Sequence, residues 1–229
     1  MSLKPELTAD GSKTLFSERY QQTFHSDKGA LAESKHVFLE MSGVAEKLRQ
    51  KQTTNILEVG FGTGLNFFLT ADLALSSGAS LSFSSLEQSL LARSIVKELN
   101  YENILEHPRL LKTYLEFREQ LSQPLSGTYV FEFNEVRLEL LMGEATTQSL
   151  PINYFDAVYQ DAFSPDANAE LWSEAFFTRL HGALKSQGVM TTYSVKGEVR
   201  RRLQGIGFKV EKLQGPVRGK REMLRATKP

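Results

Sequence analysis

Glycine recurs at every second position in Glu58-Val59-Gly60-Phe61-Gly62-Thr63-Gly64-Leu65-Asn66, directly after the apolar pair Ile56-Leu57. A buried strand that turns through three glycines into a helix gives this pattern, and the missing Cβ atoms let backbone N–H groups approach a ligand at the helix N-terminus. A dinucleotide fingerprint would put its third glycine at Leu65, so the spacing points to a different nucleoside-containing ligand. Glu87 ends the following strand, where an ionised carboxylate can accept from both hydroxyls of a ribose. Glu144 and Ala145 end a third strand, and Glu144 can accept from an adenine amino group. Asn66 either caps the first helix or contacts the ligand. The other constellation is Tyr159-Gln160-Asp161-Ala162-Phe163-Ser164-Pro165, after a fourth strand. A carboxylate there can bind an ammonium, accept its proton and aim the freed lone pair. Phe163 and Tyr159 either wall a pocket, stack on a base or belong to the core, and Pro165 restricts Ser164 to extended geometry.

The elements that position these residues alternate between strand and helix periodicity, which predicts an α/β sheet wrapped by helices. Strands are expected at 55–60, 80–87, 155–160, 188–193, 208–213 and 222–227, and helices at 65–76, 90–99, 108–126, 168–184 and 196–205. Residues 127–142 read as a hairpin with Tyr129, Phe131 and Phe133 on one face, a turn at Asn134-Glu135, and Val136, Leu138 and Leu140 returning as a further sheet strand. Seven sheet strands result, mostly parallel, with an antiparallel pair closing one edge. The expected division is an N-terminal extension over 1–50, helical from 34 to 48 and packed on a catalytic domain over 51–229, with an insertion over about 108–136.

The chain has 229 residues, 41% hydrophobic and 24% charged, enough for one substantial core. No apolar run approaches the roughly 20 residues of a membrane span, and the polar start does not resemble a secretory signal, so the chain reads as cytoplasmic. Zero cysteines exclude a thiol nucleophile or a disulfide framework, and His25, His36, His107 and His181 offer no metal-ligand spacing. Net charge is zero, yet from Lys196 onward eleven basic residues face three acidic ones, a local excess of +8. That end is either a solvated surface or a phosphate-binding flank.

With Glu58 at the strand's end, E-x-G-x-G-x-G resembles motif I of class I S-adenosyl-L-methionine (SAM) methyltransferases, whose Rossmann-like fold has the predicted strand pattern. Longer stretches are similar to the methyltransferase module of the MnmC family: Phe16-Ser17 with Gly29, Glu33 and His36-Val37-Phe38-Leu39, GFGTGLNF at 60–67, QDAFSPDANAELW at 160–172, YSVKGEVRRRLQGIGF at 193–208 and GKREML at 219–224. The resemblance implies SAM-dependent N-methylation of a 5-aminomethyl group on the wobble uridine of tRNA. It implies Asp161 at the reacting amine, and Glu58, Gly60, Gly62, Gly64, Asn66, Glu87, Glu144 and Ala145 around the cofactor. Phe163, Ser164, Pro165, Arg200, Arg201, Lys220 and Arg221 would meet the tRNA near its anticodon. Neither metal nor flavin is expected. Bifunctional members carry a flavin oxidase, and this sequence ends at Pro229 without one, so a stand-alone enzyme supplied with its amine by a separate one is expected. Alternatives are a methyltransferase or aminopropyltransferase acting on a small amine, and a non-catalytic RNA-binding module. A polyamine site should collect acidic side chains, and only Asp161 and Asp166 stand in the acidic loop.

Overall fold

The computed structural model describes residues 3–121, 124–217, 219 and 221–229. Near the N-terminus, β1 (Pro5–Leu7), β2 (Lys13–Ser17) and β3 (Gln22–Thr23) form a small antiparallel meander. Helix α1 (Ala30–Glu33) runs straight into a π-helical segment, Ser34–Glu40, and α2 (Val44–Arg49) follows. The helix expected over 34–48 is thus broken. Gly43, at positive φ, separates the π segment from α2, and Ser42 turns its hydroxyl back to the Leu39 and Phe38 carbonyls.

The main sheet is built from β4 (Thr54–Val59), β5 (Leu81–Glu87), β6 (Gly127–Phe133), β7 (Val136–Met142), β8 (Phe155–Gln160), β9 (Leu184–Thr192), β10 (Lys209–Gln214) and β11 (Glu222–Thr227). Their order across the sheet is β10-β11-β9-β8-β4-β5-β7-β6. Only β11 and β6 run against the other six strands. The mostly parallel sheet closed by an antiparallel pair is as expected. It has eight strands rather than seven, because the first arm of the hairpin pairs along its whole length with the second and becomes an extra edge.

Helix α3 (Leu65–Ser77) connects β4 to β5, α4 (Arg93–Glu98) and α5 (Pro108–Glu119) precede the hairpin, and α6 (Glu174–Ala183) and α7 (Gly197–Ile206) flank β9. Both α4 and α5 are shorter than their periodicity suggested. The predicted helix over 168–184 is split into a 3-10 turn, Ala169–Trp172, and α6, because Ser173 is extended and its Oγ accepts the Phe176 N–H at 3.2 Å as an N-cap.

Period-two alternation along β4 divides the core between two layers. Ile56 packs in the cluster formed with Phe67, Phe68, Phe83 and Tyr114, whereas Leu57 and Val59 pack with Trp172, Phe176, Phe177 and Leu203. Glu58, between them in sequence, shares the Ile56 side and meets α3 there. A carboxylate at a fully buried strand position is the one residue of β4 that packing does not explain.

Candidate active site

Four strand ends meet where the parallel strands finish, the edge at which open α/β sheets bind ligands. Backbone bonds stitch these ends together: Gly60 N donates to Leu86 O at 3.0 Å, Gly143 N to Glu87 O at 2.9 Å, and Asp161 N to Val59 O at 3.1 Å. Gly60 has φ +91° and faces the Asp161 carbonyl, where a Cβ would stand 3.1 Å away. The glycine therefore lets the loops after β4 and β8 touch. Gly62, at φ +52°, turns its open face to the Phe24 ring, which a Cβ would meet at 3.1 Å.

Between these loops and the meander lies a cavity of about 800 Å³. Gly60, Gly62, Glu87, Glu144, Ala145, Asp161, Phe163 and Ser164 all line it. Half-buried Glu87 accepts from Gly62 N at 3.1 Å and from Ser89 N at 2.8 Å, which fixes its carboxylate beneath the glycine loop. Burial raises its pKa, and the backbone N–H donors oppose that rise. Glu144 is exposed at the rim and accepts from Thr146 Oγ1 at 3.1 Å. Glycines that a Cβ would crowd, beside a ribose-competent carboxylate at Glu87, fit a nucleoside cofactor.

Three expected cofactor residues stand behind the wall rather than on it. Gly64 caps α3, donating its N–H to Phe61 O at 2.8 Å. Glu58 and Asn66 are buried and bonded to each other at 3.0 Å. Burial pushes Glu58 up to about 8, Ser85 and Asn66 resist the rise by donating to it, and the Glu87 charge adds to it.

On the acceptor side, the meander supplies residues that local periodicity did not single out. Tyr20 stacks on Phe163 with centroids 4.2 Å apart and planes 24° from parallel, and Phe24 meets Phe163 edge-on at 5.1 Å. Arg19 lies over the other partner of that stack, 5.0 Å from the Tyr20 centroid. Gln22 clamps Ser164 twice, its Nε2 donating to Ser164 Oγ at 2.7 Å and its Oε1 accepting from Ser164 N at 3.2 Å. Trp172 Nε1 donates to Phe163 O at 2.8 Å and Tyr193 Oη to Ala162 O at 2.7 Å, so the acidic loop is held from three sides. Pro165 is buried in the loop and does not reach the cavity. His25, buried between meander and glycine loop, is pushed down to about 4 by desolvation and stands there neutral. Burial lifts the Tyr193 hydroxyl well above its ordinary value, and the charges of Asp161 and Glu33 add to that.

The cavity wall is acidic. Among the described residues, Glu18, Asp27, Glu33, Glu87, Glu144, Asp161 and Glu170 contribute carboxylates, against the single guanidinium of Arg19. The argument against a polyamine site, that too few acidic side chains stand in the loop, is thereby overturned: the loop holds few, and the N-terminal segment with α1, the other strand ends and the 3-10 turn bring the rest. Arg200, Arg201 and Arg221 do not line the cavity, and Lys220 lies outside the described residues. Four other bases of the C-terminal end are neutralised locally, Lys196 by Asp166, Arg202 by Glu198, Lys212 by Glu222 and Arg225 by Glu211. Among the described residues, no cluster of three His, Asp or Glu is placed to hold a metal, and no helix is long and apolar enough to cross a membrane.

Known proteins are similar to this chain in sequence and in fold. The family model described as S-adenosyl-L-methionine-dependent methyltransferase matches residues 109–229. The tRNA 5-methylaminomethyl-2-thiouridine biosynthesis bifunctional protein MnmC of Cupriavidus metallidurans is 35% identical over 227 residues, which cover 96% of this chain and 33% of that protein. The protein of the same name from Ralstonia nicotianae is 34% identical, with 98% and 34% covered. This chain thus spans about a third of the length of the curated relatives it matches. The crystal structure of MnmC2 from Aquifex aeolicus aligns with a TM-score of 0.79 at 29% identity, covering 100% of this chain and 72% of that one. The resemblance to the MnmC methyltransferase module read from the motifs is upheld, and the chain belongs to the S-adenosyl-L-methionine-dependent methyltransferase family.

Proposed function

We propose that this chain methylates the 5-aminomethyl nitrogen of wobble uridine, with or without a 2-thio group, in tRNA. The observation that carries the reading is the Asp161 carboxylate in the wall of an acidic cavity, stitched to the glycine loop by its own backbone. When bound, SAM supplies a methyl group on a sulfonium. Gly60, Gly62, Glu87, Glu144 and Ala145 would hold it.

An amine at neutral pH is mostly protonated and has no lone pair with which to attack. Asp161 attracts the ammonium, accepts its proton and keeps the nitrogen oriented along the line of transfer. The neighbouring carboxylates of Glu33 and Glu87 favour a cationic acceptor over a neutral or anionic one. The aromatic group of Tyr20, Phe24 and Phe163 suits a flat base carrying that amine. The names of the MnmC relatives support tRNA as the macromolecule.

A second reading has its own observation. Seven carboxylates in one cavity also suit a small polycationic amine. Labelled methyl transfer from SAM to tRNA bearing 5-aminomethyluridine, run beside unmodified tRNA, putrescine and spermidine, separates the two. Label confined to the wobble nucleoside of the aminomethylated tRNA is expected. Label in the polyamines alone would overturn the tRNA assignment.

A further inference from the structure

Behind the cavity wall, one amide joins two carboxylates. Asn66, the second residue of α3, donates through Nδ2 to Asp161 Oδ2 at 2.7 Å and to Glu58 Oε1 at 3.0 Å. Ser85 Oγ donates to the other Glu58 oxygen at 2.8 Å. Sheet register sets this up, because Glu58 stands opposite Ser85 of β5 and Tyr159 of β8. Asn66 is 4% exposed and Glu58 fully buried.

The amide has no freedom in this position. Its two hydrogens go one to each carboxyl group, and turning it over would set its oxygen against the Asp161 carboxylate. Asn66 Oδ1 is buried and has no hydrogen-bond partner among the described residues, an unfavourable arrangement that an asparagine serving only to fill space would relieve by rotating. Thr70 Oγ1 donates to the Asn66 carbonyl at 2.7 Å, which ties the residue's backbone into α3.

We infer that Glu58 and Asn66 form a positioning arm for Asp161 and are not part of the cofactor site. Asn66 fixes one carboxylate oxygen of Asp161 and thereby the plane in which the group presents itself to the cavity; Glu58, anchored by Ser85, fixes Asn66. Burial keeps Glu58 largely protonated at neutral pH, so the arm supports one negative charge at Asp161 instead of two in contact. Among the described residues, Tyr193 faces Asp161 and Glu58 stands behind Asn66; Glu33, His25 and Glu87 line the same cavity. The role of the arm rests on Asp161 as the amine-binding carboxylate.

The test uses the full chain and one readout independent of turnover. Carboxyl carbon NMR follows the titration of Asp161 in wild type, Asn66→Leu and Glu58→Gln, and calorimetry measures SAM affinity in each. Losing the N–H donor in Asn66→Leu should move the Asp161 midpoint up by about one pH unit, since a donor to the ionised form favours that form. Turnover at saturating SAM should fall tenfold or more, with SAM affinity within threefold of wild type. Glu58→Gln keeps the acceptor for Asn66 and should leave both the Asp161 midpoint and SAM affinity within those limits. An unmoved midpoint in Asn66→Leu, or tenfold weaker SAM binding in either variant, would overturn the positioning arm. If Asn66→Leu does not fold, Asn66→Ala read by the same NMR titration decides, an unmoved Asp161 midpoint again overturning the arm. A wild type that methylates no aminomethylated tRNA would refute the reaction assigned above and leave the NMR result to stand for the arm.

Discussion

Replacing Glu58 by Gln should make the protein less sensitive to alkali, and the size of the effect follows from the burial of that side chain. Glu58 is 0% exposed and its pKa is pushed up to about 8, whereas an unfolded chain releases the same proton near 4.5. A carboxyl raised in the folded state stabilises fully below its unfolded pKa, and that stabilisation is lost as pH rises towards the folded one. Each pH unit in that window is worth about 1.4 kcal/mol, and the loss flattens as the folded group itself begins to ionise. Between pH 6 and pH 8 the wild type should therefore lose about 2 kcal/mol through Glu58 alone. Gln has nearly the same shape, offers Oε1 to Asn66 and an amide N–H to Ser85 Oγ, and does not titrate. Urea unfolding of both proteins at pH 6, 7 and 8 gives the difference free of other titrating groups, including neutral His25, which both share. The variant should gain on the wild type by about 2 kcal/mol across this range, or by roughly 4–8 °C in Tm for a chain of this length. Parallel pH profiles would show that Glu58 ionises in the folded state as readily as in the unfolded one, and the argument for a neutral buried carboxyl would fail.

Other perturbations address the cavity. Asp161→Ala should leave SAM affinity within about threefold by calorimetry and lower methyl transfer on the order of a hundredfold, the usual worth of a proton acceptor; an unchanged rate removes Asp161 from the chemistry. Gly62→Val puts a branched side chain at positive φ against the Phe24 ring, 3.1 Å from its Cβ, and should abolish SAM binding while circular dichroism still reports a folded chain. Tyr20→Ala removes one member of the stack on Phe163 and should raise KM for tRNA about tenfold with SAM affinity unchanged; equal KM values would mean that the stack only braces the meander. Changing Arg200, Arg201 and Arg221 to Glu should weaken tRNA binding and flatten its dependence on salt, and an unaltered salt slope would mark them as ordinary surface.

Local signals carried much of this structure. Gly60, Gly62 and Asp161 announce themselves because a loop that meets a ligand or another loop tolerates few residue types, the apolar runs around Ile56 and Val158 announce buried strands, and the alternation of apolar and polar residues over 80–87 announces another. Tyr20, Gln22, Phe24 and His25 were harder to read. They sit in a short polar meander with no periodicity, and they matter only because the chain returns over the sheet edge, about 140 residues from Ser164 in sequence for the Gln22 clamp. The split at Ser173 and the π segment were concealed for the opposite reason: both lie inside stretches whose apolar spacing suits a continuous helix, and capping or packing breaks them. Glu58 was legible as a motif residue but not as a buried one, since its companions Ser85 and Asn66 come from a neighbouring strand and the next helix.

The distribution of charge in the folded chain constrains how a polyanion could be its substrate. The sequence's basic end suggested a phosphate track beside the site, yet four of its bases are paired with carboxylates and the described ones with no ion pair, including Arg200, Arg201 and Arg221, lie off the cavity wall. Among the described residues the cavity wall holds seven carboxylates and one guanidinium, a lining that repels phosphate while drawing in a sulfonium or an ammonium. A tRNA can satisfy both conditions only by keeping its backbone outside and sending in an extruded base that carries its own positive charge. In the reaction proposed above the 5-aminomethyl group is such a charge, and methylation leaves it cationic, so attraction alone will not expel the product. Release must then depend on the backbone contacts, and raising salt should speed product dissociation while it weakens substrate binding. Salt-dependent burst kinetics would reveal this: a first turnover faster than the steady state at low salt, and a burst that disappears as ionic strength rises. A steady state already equal to the first turnover at low salt would show that chemistry, and not release, limits the enzyme.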